Sequence, residues 1–109
     1  MSWLLLALAI ITEVMGTIAL KFSNGFTDLK ASIIVFAFYI ASFVLLGLSL
    51  KGIDLGIAYA IWAGVGTALI AVAGMVFFHE AMTTLKLVSI TLIVVGVVGL
   101  NLASRAGTA

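Results

Sequence analysis

The chain has 109 residues, 65% of them hydrophobic and 8% charged, with 11 Gly, no Pro and no Cys. Soluble domains carry about 45–50% apolar and about 25% charged residues, so this composition excludes one, and the length leaves room for a single domain. Without Cys there is no disulfide, thiolate metal site or cysteine nucleophile, and a formal net charge of +1 offers no basic surface to nucleic acid.

Charges fall in short clusters, and the stretches between them are close to the length that crosses hydrocarbon: residues 3–20, 31–50, 55–78 and 87–103. A core about 30 Å thick needs about 20 apolar residues at about 1.5 Å each. The expected fold class is therefore an all-α integral membrane protein, one domain over 1–109 with four spanning helices. The first connection carries Ser23-Asn24-Gly25, the second Lys51-Gly52, and residues 79–86 make the third. Met1-Ser2 lacks a basic n-region and a carboxylate interrupts the first apolar run, so a signal peptide is not expected.

With four spans, Lys51 and Arg105 lie on one side of the membrane and Lys21, Lys30 and Lys86 on the other. The rule that Lys and Arg accumulate on the cytoplasmic side has almost nothing to act on here. Insertion in both orientations is the expectation, the alternative being that one Lys suffices to fix a single topology.

Glu13 lies ten positions after Trp3, about 15 Å along the first helix and near the membrane midplane. An ionisable group at that depth costs about 2.5–3.5 kcal/mol on insertion scales and marks an ion or substrate path. With Lys21 and Asp54 at helix ends, no cation inside the spans pairs with it. Glu13 then serves as a proton carrier, or its partner is a cation from outside; the structural alternative is a protonated carboxyl that glues helices together.

The spacing of neighbouring residues surrounds Glu13 with a surface. Leu6, Ala9, Gly16 and Thr17 share its helix face. Tyr39, Ser42 and Phe43 form one stripe of the second span, and Tyr59, Trp62, Ala63 and Gly66 one of the third. Trp62 lies deeper than the interfacial belt that suits Trp3. A lone carboxylate with buried π faces is what an organic cation needs, each cation–π contact contributing about 0.5–2 kcal/mol. Gly64 and Gly66 mark a kink or a close contact inside the third span, while Ser89, Gly96 and Ala103 repeat every seven residues as a packing seam of the fourth.

Glu13-Val14-Met15-Gly16-Thr17, Lys21-Phe22-Ser23-Asn24-Gly25-Phe26-Thr27 and the run Gly56-Ile57-Ala58-Tyr59-Ala60-Ile61-Trp62-Ala63-Gly64-Val65-Gly66 closely resemble the small multidrug resistance transporters, over residues 3–104. The resemblance implies an antiparallel, dual-topology homodimer of four-helix protomers in a bacterial plasma membrane, exchanging protons for lipophilic organic cations without a cofactor or metal. It implies that Glu13 binds proton and cation in competition and that Trp62, Tyr59 and Tyr39 line the site beside Ser42 and Phe43. Trp3 stands where the family has a pocket-lining tyrosine. Gly64 and Gly66 would permit a kink, and the fourth helix, through Ser89 and Gly96, would make dimer contacts.

The segment after Glu13 is similar to the quaternary-ammonium branch rather than to the guanidinium-exporting one, which has Trp-Ala where this chain has Gly16-Thr17. Ala63 replaces a Ser common in multidrug members, and Ser89 a frequent Gly. A guanidinium exporter, one half of a heterodimeric pair, a proton-carrying rotary subunit and a structural accessory subunit are the rival readings. An enzyme is not expected, because His79-Glu80 is an isolated loop pair with no nucleophile beside it.

Overall fold

The structure, a computed structural model, describes residues 1–105, with side chains described as far as residue 103. It consists of four helices, α1 (Ser2–Phe22), α2 (Leu29–Ser49), α3 (Leu55–Phe77) and α4 (Thr84–Arg105). All four are long and apolar enough to cross a membrane. Residues 106–109 of the expected domain, and the Arg105 side chain entered in the charge balance, lie outside the described residues.

Capping explains where the helices differ from the apolar runs. After α1, the buried Ser23 donates its hydroxyl to Leu20 O at 2.7 Å, and Asn24, Gly25 and Phe26 then adopt φ of 50°, 70° and 68°. Three successive left-handed residues turn the chain within a few positions, and an Asn-Gly pair lowers the cost of doing so. α2 begins two residues before the expected 31 because Asp28 Oδ1 accepts the Ala31 N–H at 3.1 Å, as an N-cap does. α4 begins three residues before the expected 87. There Thr83 Oγ1 accepts the Lys86 N–H at 3.1 Å, and the Lys86 ammonium reaches back to Ala81 O, so a residue that reads as loop charge belongs to the first turn.

Packing follows the order α2, α1, α3, α4, with α1 in contact with α2 and α3, and α4 against α3. The molecule measures 46 × 35 × 16 Å. With helices about 10–12 Å across, a thickness of 16 Å means little more than one layer. Such a layer has no interior large enough to enclose a ligand.

Its core lies at one end of the layer, where Leu6 and Ile10 of α1 meet Ile53, Ile57, Ala58 and Ile61, with Trp62, Val65 and Val97 packed around them. The α1–α2 seam is fastened by Ser42, fully buried, whose hydroxyl donates to Ala9 O at 2.7 Å. Hydrogen bonds between membrane helices contribute about 0.6 kcal/mol on average and about 1.7 at most. Ser42→Ala should therefore lower thermal stability in detergent by an amount in that range, measured by circular dichroism.

Candidate functional site

Between α1 and α3, directly beyond the core, a recess of about 300 Å³ is lined by Glu13, Thr17, Trp62, Ala63, Gly66, Thr67 and Ile70. The α3 wall is a single helical stripe, residues 63, 66, 67 and 70, and it is small where it faces the carboxylate. Gly66 lets the carboxylate approach α3 closely, since a Cβ on it would stand 3.0 Å from Glu13 Oε2.

Glu13 has two dissimilar oxygens. Oε1 accepts the Thr17 hydroxyl at 3.2 Å, and Thr17 Oγ1 lies 2.7 Å from the Tyr39 hydroxyl. Because Thr17 has one proton and gives it to Glu13, Tyr39 is the donor of the second bond, so a chain of hydroxyls leads from α2 to the carboxylate. Oε2 is buried and has no hydrogen-bond partner, and Trp62 Nε1 in the same recess has none either. Among the described residues no cation pairs with the carboxylate.

Aromatic rings stand on the other side of Trp62. Tyr59 stacks on it, with centroids 5.5 Å apart and planes at 26°, and Phe43 of α2 meets it at 5.8 Å and 50°. Both outer rings are exposed, so Trp62 stands between the recess and an open aromatic surface. Gly16 lies behind, with the Tyr39 ring over it where a Cβ would be.

Other candidate residues lie elsewhere. Leu6 belongs to the core, and Ala9 is sealed beneath Ser42, because the end of the α1 stripe nearest the N-terminus is packed shut. Trp3 lines a separate groove with Ala7, Ile10, Ile61, Val98 and Asn101. Helix α3 runs unbroken through Gly64 and Gly66. Both glycines make close approaches, Gly64 to Val97 and Ile93 of α4 and Gly66 to Glu13. Gly96 has nothing near its Cβ position, and Ser89 borders an α3–α4 recess of about 350 Å³, its hydroxyl donated to Leu85 O.

Thr67 and Ile70 are site residues that sequence reasoning passed over. They continue the Tyr59–Trp62–Ala63–Gly66 stripe by one further turn, and that periodicity is the signal that finds them.

The chain thus has four helices able to span a membrane and a half-buried carboxylate in a recess between two of them. The chain belongs to the Small Multidrug Resistance protein family, whose profile matches residues 1–93. It is 49% identical over 102 residues to the uncharacterized membrane protein YvaE of Bacillus subtilis, covering 94% of this chain and 86% of that one. It is 44% identical to the quaternary ammonium compound-resistance protein QacF of Klebsiella aerogenes, covering 95% and 94%. To the guanidinium exporter of Proteus vulgaris it is 40% identical, covering 95% and 100%. The chain is thus a multi-pass membrane transporter rather than an enzyme, and these relatives are bacterial.

Proposed function

We propose that the protein exports lipophilic and quaternary ammonium cations in exchange for protons, with Glu13 as the group both must occupy. The observation that carries this reading is the buried Oε2 of Glu13, without a partner in the protein, in a recess that Trp62 lines with Tyr59 and Phe43 packed against that ring. A lipophilic cation supplies the missing counter-charge and lies against the rings; a proton neutralises the same carboxylate. Two ligands that share one site exchange by competition alone.

Guanidinium is a poorer match to this wall. Its five N–H donors need several acceptors in one plane. Here the Ser42 hydroxyl is committed to Ala9 O, Ala63 offers none, and besides Glu13 only Thr17 and Thr67 bring hydroxyls to the recess.

The flat layer supports a second element of the proposal, an antiparallel homodimer. A recess open on the face of a layer 16 Å thick is closed by a second, inverted copy, and a near-even division of Lys and Arg between the two sides suits insertion both ways. Helix α4 supplies small residues for such a contact, Gly96 with open space at its Cβ position and the exposed Ser89 at the edge of the α3–α4 recess. Both Glu13 groups would then share one cavity and titrate as a coupled pair, and rocking of one protomer against the other about that cavity would give alternating access. In that cycle Gly64 and Gly66 would be the points at which α3 bends.

Proteoliposomes holding an imposed proton gradient test the proposal with tetraphenylphosphonium, a benzalkonium ion and guanidinium offered in parallel. Gradient-driven uptake of the first two, with little of the third, is the expected result. Uptake of guanidinium alone would assign the chain to the other branch.

A further inference from the structure

The recess at Glu13 continues toward one membrane face, and a second carboxylate stands at its far end. A cavity of about 290 Å³ between α1 and α3 is lined by Lys21, Gly74, Phe78 and Glu80 among others, and it shares Thr17 and Ile70 with the Glu13 recess. The core seals the cleft at the opposite end, around Leu6 and Ile57. The mouth of the cleft is therefore where Lys21 and Glu80 stand.

Backbone geometry brings Glu80 there. The N–H groups of Phe78 and Glu80 both donate to Gly74 O, at 3.2 and 3.1 Å, and His79 between them takes the left-handed φ of 56° that turns the chain back on α3. The Glu80 carboxylate comes to rest against Gly74, so closely that a Cβ on residue 74 would collide with it. Among the described residues Glu80 forms no ion pair. The nearby Lys86 ammonium is engaged with Ala81 O, and that of Lys21 stands 5.9 Å from the centroid of the Phe78 ring. An ammonium on an aromatic face in a carboxylate-bearing cavity is a tethered likeness of the cation to be transported.

We propose that Phe78 and Glu80 form an outer cation-binding station. A lipophilic organic cation displaces the Lys21 ammonium from the Phe78 ring, takes Glu80 as counter-charge, and then moves past Thr17 and Ile70 to Glu13. The inference rests on the cation export proposed above, and in an antiparallel pair it puts one station at each membrane face.

Initial rates of tetraphenylphosphonium uptake into proteoliposomes, measured against concentration, test it. Glu80→Gln should raise KM about two- to fivefold with kcat within about twofold of the parent, since the substitution removes one exposed charge pair and leaves the Phe78 ring in place. High salt should shrink the difference. Lys21→Met, which removes the tethered competitor, should lower KM. The turn is held by the Glu80 backbone N–H rather than by its side chain, so the Gln variant keeps its fold. An unchanged KM in both variants overturns the station, and so does a fall in kcat alone, which would make the residues part of a closure step. If the unsubstituted protein takes up no tetraphenylphosphonium, the cation-export reading itself falls, and the station with it.

Discussion

Glu13→Gln should reduce proton-driven uptake of tetraphenylphosphonium by about a hundredfold or more, because removing the charge from a buried pair costs about 2–5 kcal/mol. The substitution keeps shape and one essential contact: a Gln Oε1 still accepts the Thr17 hydroxyl that Glu13 Oε1 accepts now, so the Tyr39–Thr17 chain and the fold persist. What disappears is the charge on the oxygen that has no partner in the protein. The cation then has no counter-charge and the proton no acceptor. If Glu13 were instead a protonated carboxyl acting as glue between helices, Gln would preserve transport and weaken assembly. Uptake and thermal unfolding, measured on the same preparation, separate the two outcomes.

Gly16→Val should have the largest effect of any single glycine substitution near the site. A Cβ at residue 16 would lie 2.8 and 2.9 Å from two carbons of the Tyr39 ring and 3.2 Å from Phe38 Cβ. Overpacking of this kind costs about 1–3 kcal/mol. The ring can relieve it only by moving off α1, which breaks the bond from Tyr39 to Thr17 and with it the support of Glu13. A lowered unfolding temperature in detergent together with weakened cation binding is expected. Gly47→Ala is the matched control: no atom lies within 4 Å of its Cβ position, and stability should stay within about 0.5 kcal/mol.

Much of this was legible in the residues because membrane spans obey a length rule. Uninterrupted apolar runs sufficed to place four helices to within a few residues at each end, and the scarcity of charge isolated Glu13. Helical periodicity groups Thr17, Trp62, Ala63 and Gly66, and these residues line one recess with Glu13. Periodicity cannot say how far along a stripe two helices remain in contact, which is why Leu6, on the same face as Glu13, lies in the core instead of the recess. Trp3 lies in another groove for the same reason. The start of α4 was obscured because Thr83 caps it while Lys86 folds back on the loop, two side-chain contacts that hydropathy does not register. Glu80 belongs to the loop pair His79-Glu80 and is exposed, but the sequence does not show that it lies against α3. A left-handed residue at His79, a position with no Gly or Asn to announce it, returns its carboxylate to the cleft.

The thinness of the layer is the feature least visible in the residues. Four apolar helices can also pack as a bundle with an enclosed interior, yet here α4 packs mainly against α3 and leaves much of its surface exposed. Exposed Leu92, Val94, Val95 and Val98 would meet lipid or a second copy equally well, and the small side chains between them favour close helix contact. Cross-linking between Cys residues introduced at 96 in an otherwise Cys-free chain would report that contact.

The most direct test of the shared site is a count of protons released when tetraphenylphosphonium binds to the detergent-solubilised protein in weakly buffered solution. If proton and cation compete for Glu13, binding at a pH where the carboxyl is protonated releases protons, and Glu13→Gln abolishes both binding and release. Cation binding with no proton released at any pH at which it occurs, or release that survives in the Gln variant, would contradict the account.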